Sequence, residues 1–185
     1  MNANVDLTHV VLETERLILR SWKYSDLDDF FEYASVEGVG ERAGWSHHES
    51  RSESQAILKR FMEGKKTFAI VLKENQKTIG SLGLESLRQY AGEELKNLTG
   101  REIGYVLSKE YWNQGLMTEA VLCVIDWCFY NQKYDFLMCC NFIENAASAK
   151  VQKKCGFKPY KTVEYSSSFG LKTSQVNVLK RRYTK

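Results

Sequence analysis

A chain of 185 residues suits a single domain spanning 1–185, and 43% apolar residues with ten tyrosines suffice for a packed core without disulfide staples. Lys plus Arg (26) exceeds Asp plus Glu (23) by three, too small a surplus for a nucleic-acid surface. Residues 1–6 carry no basic or apolar leader, no apolar run approaches the roughly 20 residues of a membrane span, and the five cysteines form no C-x-x-C pair. The expectation is a cytoplasmic protein with reduced buried thiols, no metal site, and neither nucleic acid nor membrane as partner.

In chain order, residues 14–22 read as a first strand, with Leu17 and Leu19 on one side and Ile18 opposite. Ser25 is expected to cap a helix whose first turn holds Asp26, Asp28 and Asp29, and whose apolar stripe is Leu27, Phe30, Phe31 and Ala34. Residues 38–46 form a loop, and 50–62 a second helix with Ala56, Ile57, Phe61 and Met62 inward. Residues 67–72 and 77–87 read as a hairpin, 88–99 as irregular chain, and 101–108 as another strand. A helix over 115–130 buries Ala120, Val121, Val124, Trp127 and Cys128. Then come a strand (135–142), a helix (146–155), a strand (157–165) and a last strand (174–181), whose basic end Lys180-Arg181-Arg182 reads as solvated. The order β-α-α-β-β-β-α-β-α-β-β predicts an α/β fold: a mixed sheet with helices on its faces.

The most informative stretch is Ile103-Gly104-Tyr105-Val106-Leu107, followed by Trp112-Asn113-Gln114-Gly115-Leu116-Met117-Thr118. A strand ends, a loop turns, and a helix starts at a glycine. First-turn N–H groups have no intrahelical partner and can cradle a phosphate, which a glycine lets approach. The stretch contains neither G-x-x-x-x-G-K-[ST] nor G-x-G-x-x-G.

These residues resemble the acetyl-CoA-binding segment of GNAT N-acetyltransferases of the RimJ/RimL ribosomal-protein type. In the superfamily pattern Q/R-x-x-G-x-G/A, Trp112 fills the first position, Gly115 the central glycine and Met117 the last, where Met departs from the consensus. Asn145, Ser148, Val151, Lys154, Gly156 and Phe157 fall in register with the family's later block, N-x-x-S/A-x-x-L/V-Y-x-K-x-G-F. The resemblance implies a mostly antiparallel sheet with helices on both faces and a V-shaped splay between two parallel strands, with acetyl-CoA lying in the splay. It implies cofactor contacts from Val106, Leu107, Trp112, Asn113, Gln114, Gly115, Leu116, Met117, Thr118, Asn145 and Ser148. A backbone N–H near Val106 or Leu107 would polarise the thioester carbonyl.

The resemblance also frames the chemistry as direct attack by an amine acceptor in a ternary complex. Many members place a tyrosine at position 152 to protonate the departing thiolate, which Gln152 cannot do; the resemblance to the ribosomal-protein branch implies that role for Ser148, one turn earlier on the same face. For the base, Glu164 is carried over from a Glu-Tyr pair of the ribosomal-protein branch, and Glu102 and Glu85 are further candidates, as are His47 and His48; Trp45 would wall the acceptor pocket. A lysine amine, with a pKa of about 10.4, is almost wholly protonated at neutral pH, whereas an α-amine, at about 7.7 to 8.0, is substantially neutral. With no strong base in evidence, the expected acceptor is a protein or peptide N-terminal α-amine. A small amine (antibiotic, polyamine or metabolite) is the alternative, as is a non-catalytic CoA-binding module. An exposed last strand would also allow a homodimer.

Overall fold

A computed structural model describes residues 1–88 and 91–181. Gln89 and Tyr90, within the stretch expected to be irregular, and Arg182, of the basic terminal run, lie outside the described residues. Eight strands form one sheet in the order β1-β2-β3-β4-β5-β6-β8-β7. They are β1 (Leu12–Glu13), β2 (Leu17–Ser21), β3 (Thr67–Leu72), β4 (Thr78–Glu85), β5 (Gly100–Leu107), β6 (Phe136–Phe142), β7 (Lys158–Ser167) and β8 (Gly170–Lys180). The helices are α1 (Leu27–Ala34), α2 (Arg51–Gly64), α3 (Leu116–Asp126), which runs on into a π-turn (Trp127–Asn131), and α4 (Ala146–Lys154). All strand pairs are antiparallel except β5–β6. The expected α/β fold with a mixed, mostly antiparallel sheet is therefore what the chain adopts.

The alternation in β2 sorts its side chains as expected. Leu17 and Leu19 join Phe68, Ile70, Leu82, Leu84 and Ile103 under α3, which contributes Ala120, Val121 and Val124. Ile18 packs on the opposite face with Ala69, Val71 and the α1–α2 pair, through Phe30, Ala34 and Leu58. β3 is covered on both faces, which is why T-F-A-I-V-L is an unbroken buried run instead of an alternating one.

Several local expectations need correction. Ser25 does not cap α1; it lies in a 3-10 turn (Tyr24–Asp26) that leads into the helix. Asp26, at the N-cap position, makes no side-chain cap bond but accepts the Lys23 N–H at 2.8 Å while its two oxygens take the Arg20 guanidinium at 2.7 and 2.8 Å. Asp26 is thus a buried ion-pair partner of β2, not a solvated charge favouring the helix dipole. In α2, Ser50 does cap, accepting the Glu53 N–H at 3.2 Å, but Ala56 is exposed and Leu58 and Ser54 are buried. Arg181 is not a solvated end either: its guanidinium donates to the Phe129 carbonyl at 3.3 Å and lies 3.5 Å from Asp135. Finally, the last strand is not at the sheet edge. β8 is inserted between β6 and β7, so the edge is β7, because the β7–β8 hairpin folds its second arm back inward.

Candidate active site

β5 and β6 run side by side only from Gly100–Phe136 to Ile103–Cys139. Beyond that point β5 continues to Leu107 paired with β4 alone, and β6 continues to Phe142 paired with β8 alone. The two parallel strands therefore splay. A cavity of about 560 Å3 opens between them, walled by β5, β6, the α3 turn and α4. Gly104 sits where the splay begins, and a Cβ built on it would meet nothing within 4 Å.

At one end of the cavity is the glycine turn. Asn113 (φ 62°) and Gly115 (φ 80°) both take left-handed backbone, which swings the chain so that the start of α3 faces the cavity. No side chain caps the first turn of α3, so the N–H groups of Leu116, Met117 and Thr118 are available to an anion. Arg16 pins the turn from β2's side, donating to the Gln114 carbonyl at 3.1 Å and pairing with Glu119 at 2.6 Å. Trp112 donates its indole N–H to the Leu107 carbonyl at 2.8 Å, and the Arg42 guanidinium lies 4.8 Å from its ring centre. Arg42, Lys150 and Lys154 make this end cationic.

At the deep end, Asn145 caps α4 by accepting the Ser148 N–H at 3.1 Å. The Ser148 hydroxyl lies 2.9 Å from the Tyr105 hydroxyl and accepts Gln152 Nε2 at 3.2 Å. Burial holds the Tyr105 phenol well above its ordinary pKa, so it remains a neutral hydrogen-bonding group. Sequence reading assigned Tyr105 no role; its only signal was its place beside Gly104 on the strand that faces the splay.

On the sheet face toward α1 and α2 stand the acidic groups. Glu102 is buried at the cavity wall with the Arg88 Nε 3.8 Å away, and Arg88 also stacks 4.1 Å over the Tyr165 ring. Glu85 pairs with Lys66 and lines both this cavity and a second one of about 580 Å3 beneath α1 and α2. Val106 is the other residue common to both, so the two spaces meet there. Trp45 and His48 line the second cavity. Burial lowers the His48 pKa, and its Nδ1 is engaged by Ser54 Oγ at 2.7 Å.

A sequence profile of the family described as Acetyltransferase (GNAT) domain matches residues 16–158, most of the chain. The chain belongs to the GNAT acetyltransferase family. It is similar to the N-acetyltransferase p20 of Bacillus licheniformis, itself uncharacterised, at 27% identity over 180 residues, covering 93% of this chain and 97% of that one. Among solved structures it resembles a GNAT-family acetyltransferase from Bacillus anthracis, with a TM-score of 0.80 at 18% identity, covering 92% of this chain and 98% of that one. It also resembles the ribosomal-protein-S5-alanine acetyltransferase from Vibrio fischeri, with a TM-score of 0.68 at 21% identity, covering 92% and 96% of the two chains. At these identities the two structures speak to the fold alone.

This GNAT protein is an N-acetyltransferase, an acyl-transferring enzyme of a family that generally takes acetyl from acetyl-CoA to an amine. Of the residues expected to touch the cofactor, Val106, Leu107, Trp112, Asn113, Gly115, Leu116, Met117, Thr118, Asn145 and Ser148 all line the splay cavity. Gln114 does not; its side chain turns back to the Glu110 carbonyl at 3.0 Å. The cationic mouth, the uncapped helix start and the unpaired strand edge fit a long ligand with phosphates at one end. Of the acids, Glu102 and Glu85 reach the cavity, whereas Glu164 lies outside its lining and accepts from Thr173 Oγ1 at 2.9 Å across the β7–β8 hairpin. Alternation along β7 gives the cavity to Tyr165 instead. His47 pairs with Glu41 at 2.8 Å and lines neither cavity.

None of the cysteines is bonded to another. Burial pushes the Cys140 and Cys155 thiols up to about 11, and holds that of Cys139 well above its ordinary value, so at neutral pH they are packing groups and not nucleophiles. Among the described residues, no helix is long and apolar enough to cross a membrane, and no cluster of His, Cys, Asp and Glu could hold a metal.

Proposed function

We propose that residues 1–185 form one acetyltransferase domain of the RimJ/RimL type that acetylates the α-amine of a protein or peptide N-terminus by direct attack within a ternary complex. Acetyl-CoA would supply the activated acetyl group as a thioester. Its pyrophosphate would meet the N–H groups at Leu116 to Thr118, with Arg42, Lys150 and Lys154 nearby, and its arm would follow the free edge of Gly104 to Leu107. A backbone N–H near Val106 or Leu107 would polarise the carbonyl. The amine would approach from the α1–α2 face, beside Glu102. Ser148 would face the departing sulfur. A serine alcohol is a far weaker acid than a thiol, so its contribution is a hydrogen bond to the thiolate, which leaves readily at a thiol pKa of about 8.5.

The observation that carries the choice of acceptor is the state of the candidate bases. Glu102 faces Arg88, Glu85 is paired with Lys66, and His48 is buried and committed to Ser54. A site without a free strong base suits an amine that is already partly neutral at pH 7, as an α-amine is and a lysine side chain is not. The second cavity, walled by Phe30, Tyr33, Trp45 and Phe61, favours one other reading: a small amine carrying an apolar body.

Both readings are tested by following CoA release with paired peptides, one with a free N-terminus and no lysine, the other N-blocked and containing lysine, beside a panel of small amines. The free N-terminus is expected to turn over faster. Preference for the lysine peptide would overturn the α-amine assignment, and turnover confined to small amines would move the function to the second reading. Tight acetyl-CoA binding without CoA release, whichever amine is offered, would identify a binding module.

A further inference from the structure

Behind Ser148 runs a chain of amides whose direction is set from its far end. The Phe142 carbonyl can only accept, and Asn141 Nδ2 donates to it at 2.9 Å. That fixes Asn141 Oδ1 as the acceptor of Asn177 Nδ2 at 3.2 Å. The same Asn177 amide nitrogen donates to Gln152 Oε1 at 2.6 Å, which turns Gln152 Nε2 toward Ser148 Oγ at 3.2 Å. Asn177 and Gln152 are both buried, with Gln152 2% exposed, and neither lines the cavity.

A hydroxyl has one hydrogen to donate and two lone pairs to offer. Gln152 fills one lone pair of Ser148 Oγ, and the amide chain leaves it no way to accept. The Ser148 hydrogen then has two destinations: the Tyr105 oxygen at 2.9 Å or the cavity. When it points at Tyr105, the Tyr105 hydrogen is taken by the Ser148 carbonyl at 3.2 Å; when it turns to the cavity, Tyr105 donates to Ser148 Oγ instead. Rotating two hydroxyl hydrogens converts one arrangement into the other without moving a heavy atom.

We infer that Gln152 is a positioning residue that denies the Ser148 hydrogen a partner inside the helix and so keeps it available, by way of the Tyr105 exchange, for donation to the cavity, with Asn177 and Asn141 fixing the polarity of Gln152. This rests on the proposed role of Ser148 at the leaving sulfur. It also gives a reason for an amide where many family members carry tyrosine. The titratable groups packed about Tyr105 and Ser148 are the thiols of Cys139 and Cys155 and the phenol itself, all raised by burial and neutral at ordinary pH; Lys150 and Lys154, on the same helix, line the cavity.

The test reverses the polarity. In Gln152→Glu, an ionised carboxylate can only accept, so it draws the Ser148 hydrogen away from the cavity. Relative to wild type at each pH, kcat is expected to fall about tenfold above the pKa of the new carboxyl and to recover below it, where the protonated acid donates. The KM for acetyl-CoA should stay within about twofold, because Gln152 does not touch the cavity. Gln152→Met, of similar length and without charge, covers the case in which a buried carboxylate prevents folding. It should lower kcat without a pH-dependent ratio, and either variant placed on Ser148→Ala should add nothing further. A flat pH ratio in Gln152→Glu, or an undiminished effect of either variant on the Ser148→Ala background, would overturn the inference. If Ser148→Ala itself leaves kcat unchanged, it is the underlying assignment of Ser148 that fails.

Discussion

Two stretches of β5 differ in what lies beside them. Glu102 and Ile103 have a paired strand on each side, whereas Gly104 to Leu107 have β4 on one side and the cavity on the other. Ile103 is 1% exposed and belongs to the main core, while Gly104, the next residue, is open. Where the ladder continues, backbone groups are consumed by the neighbouring strand and side chains are consumed by packing. Where it stops, the same backbone becomes free to bind a ligand. The site is thus made by ending a strand pairing, and most of its lining residues are otherwise ordinary members of strands and helix starts.

That contrast can be broken from either side, and the largest effect is expected on the paired side. Leu137 of β6 is fully buried and lies in the paired segment, outside the cavity lining. Leu137→Ala should cost about 2–5 kcal/mol of stability in denaturant unfolding, while the fraction that stays folded keeps its kcat.

On the open side the prediction inverts. Gly104→Val places a branched side chain where nothing stands within 4 Å, so folding should survive. The acetyl-bearing end of the ligand would lose its place, and kcat/KM should fall about a hundredfold with an unchanged Tm. Gly115→Glu should likewise abolish acetyl-CoA binding, by setting an anion against the pyrophosphate; its left-handed φ of 80° adds strain that a thermal melt would register separately. Unchanged acetyl-CoA affinity in a folded Gly115→Glu protein would remove the pyrophosphate from that turn.

A smaller effect is expected at Ser148, where alanine should lower kcat about tenfold and leave the KM for acetyl-CoA nearly unchanged. A matched loss of affinity with normal turnover would mean that Ser148 only holds the ligand.

The smallest effect concerns the loop beside the second cavity. The hydrogen bond that its ring donates to Glu41 raises the His47 pKa above 6.5, and, against a burial that works the other way, bonds from His47 and backbone N–H groups draw Glu41 down from 4.5 to about 2. The raised histidine contributes stability below pH 6.5 that is lost as pH rises through its folded value. The depressed glutamate contributes above pH 4.5, and that part is lost as pH falls toward 2. NMR titration should find the His47 pKa returning toward its ordinary value in Glu41→Gln, with little change in Tm because the pair is only partly buried.

Much of this was legible in the chain itself. Alternation in residues 17–19 assigned the faces of β2, residues 67–72 and 77–87 read as the hairpin that β3 and β4 form, and Gly115 and Asn145 marked the starts of two helices, because each is a local preference of backbone and side chain. The capping of α1 was misjudged for the complementary reason: Arg20, on a strand, claims the Asp26 carboxylate, and no local rule contains that partner.

The sequence by itself determined the elements, their order, the glycine turn and the family resemblance. Only the tertiary structure decided where β5 and β6 part, that β8 lies inside β7, and that Glu102 faces the cavity while Glu164 faces Thr173. It alone joined Tyr105 to Ser148 and Gln152 to Asn177, pairs 43 and 25 residues apart. Periodicity and capping act over one or two turns of chain, whereas the pairing register and hydrogen-bond direction that make this site are fixed only when distant segments meet.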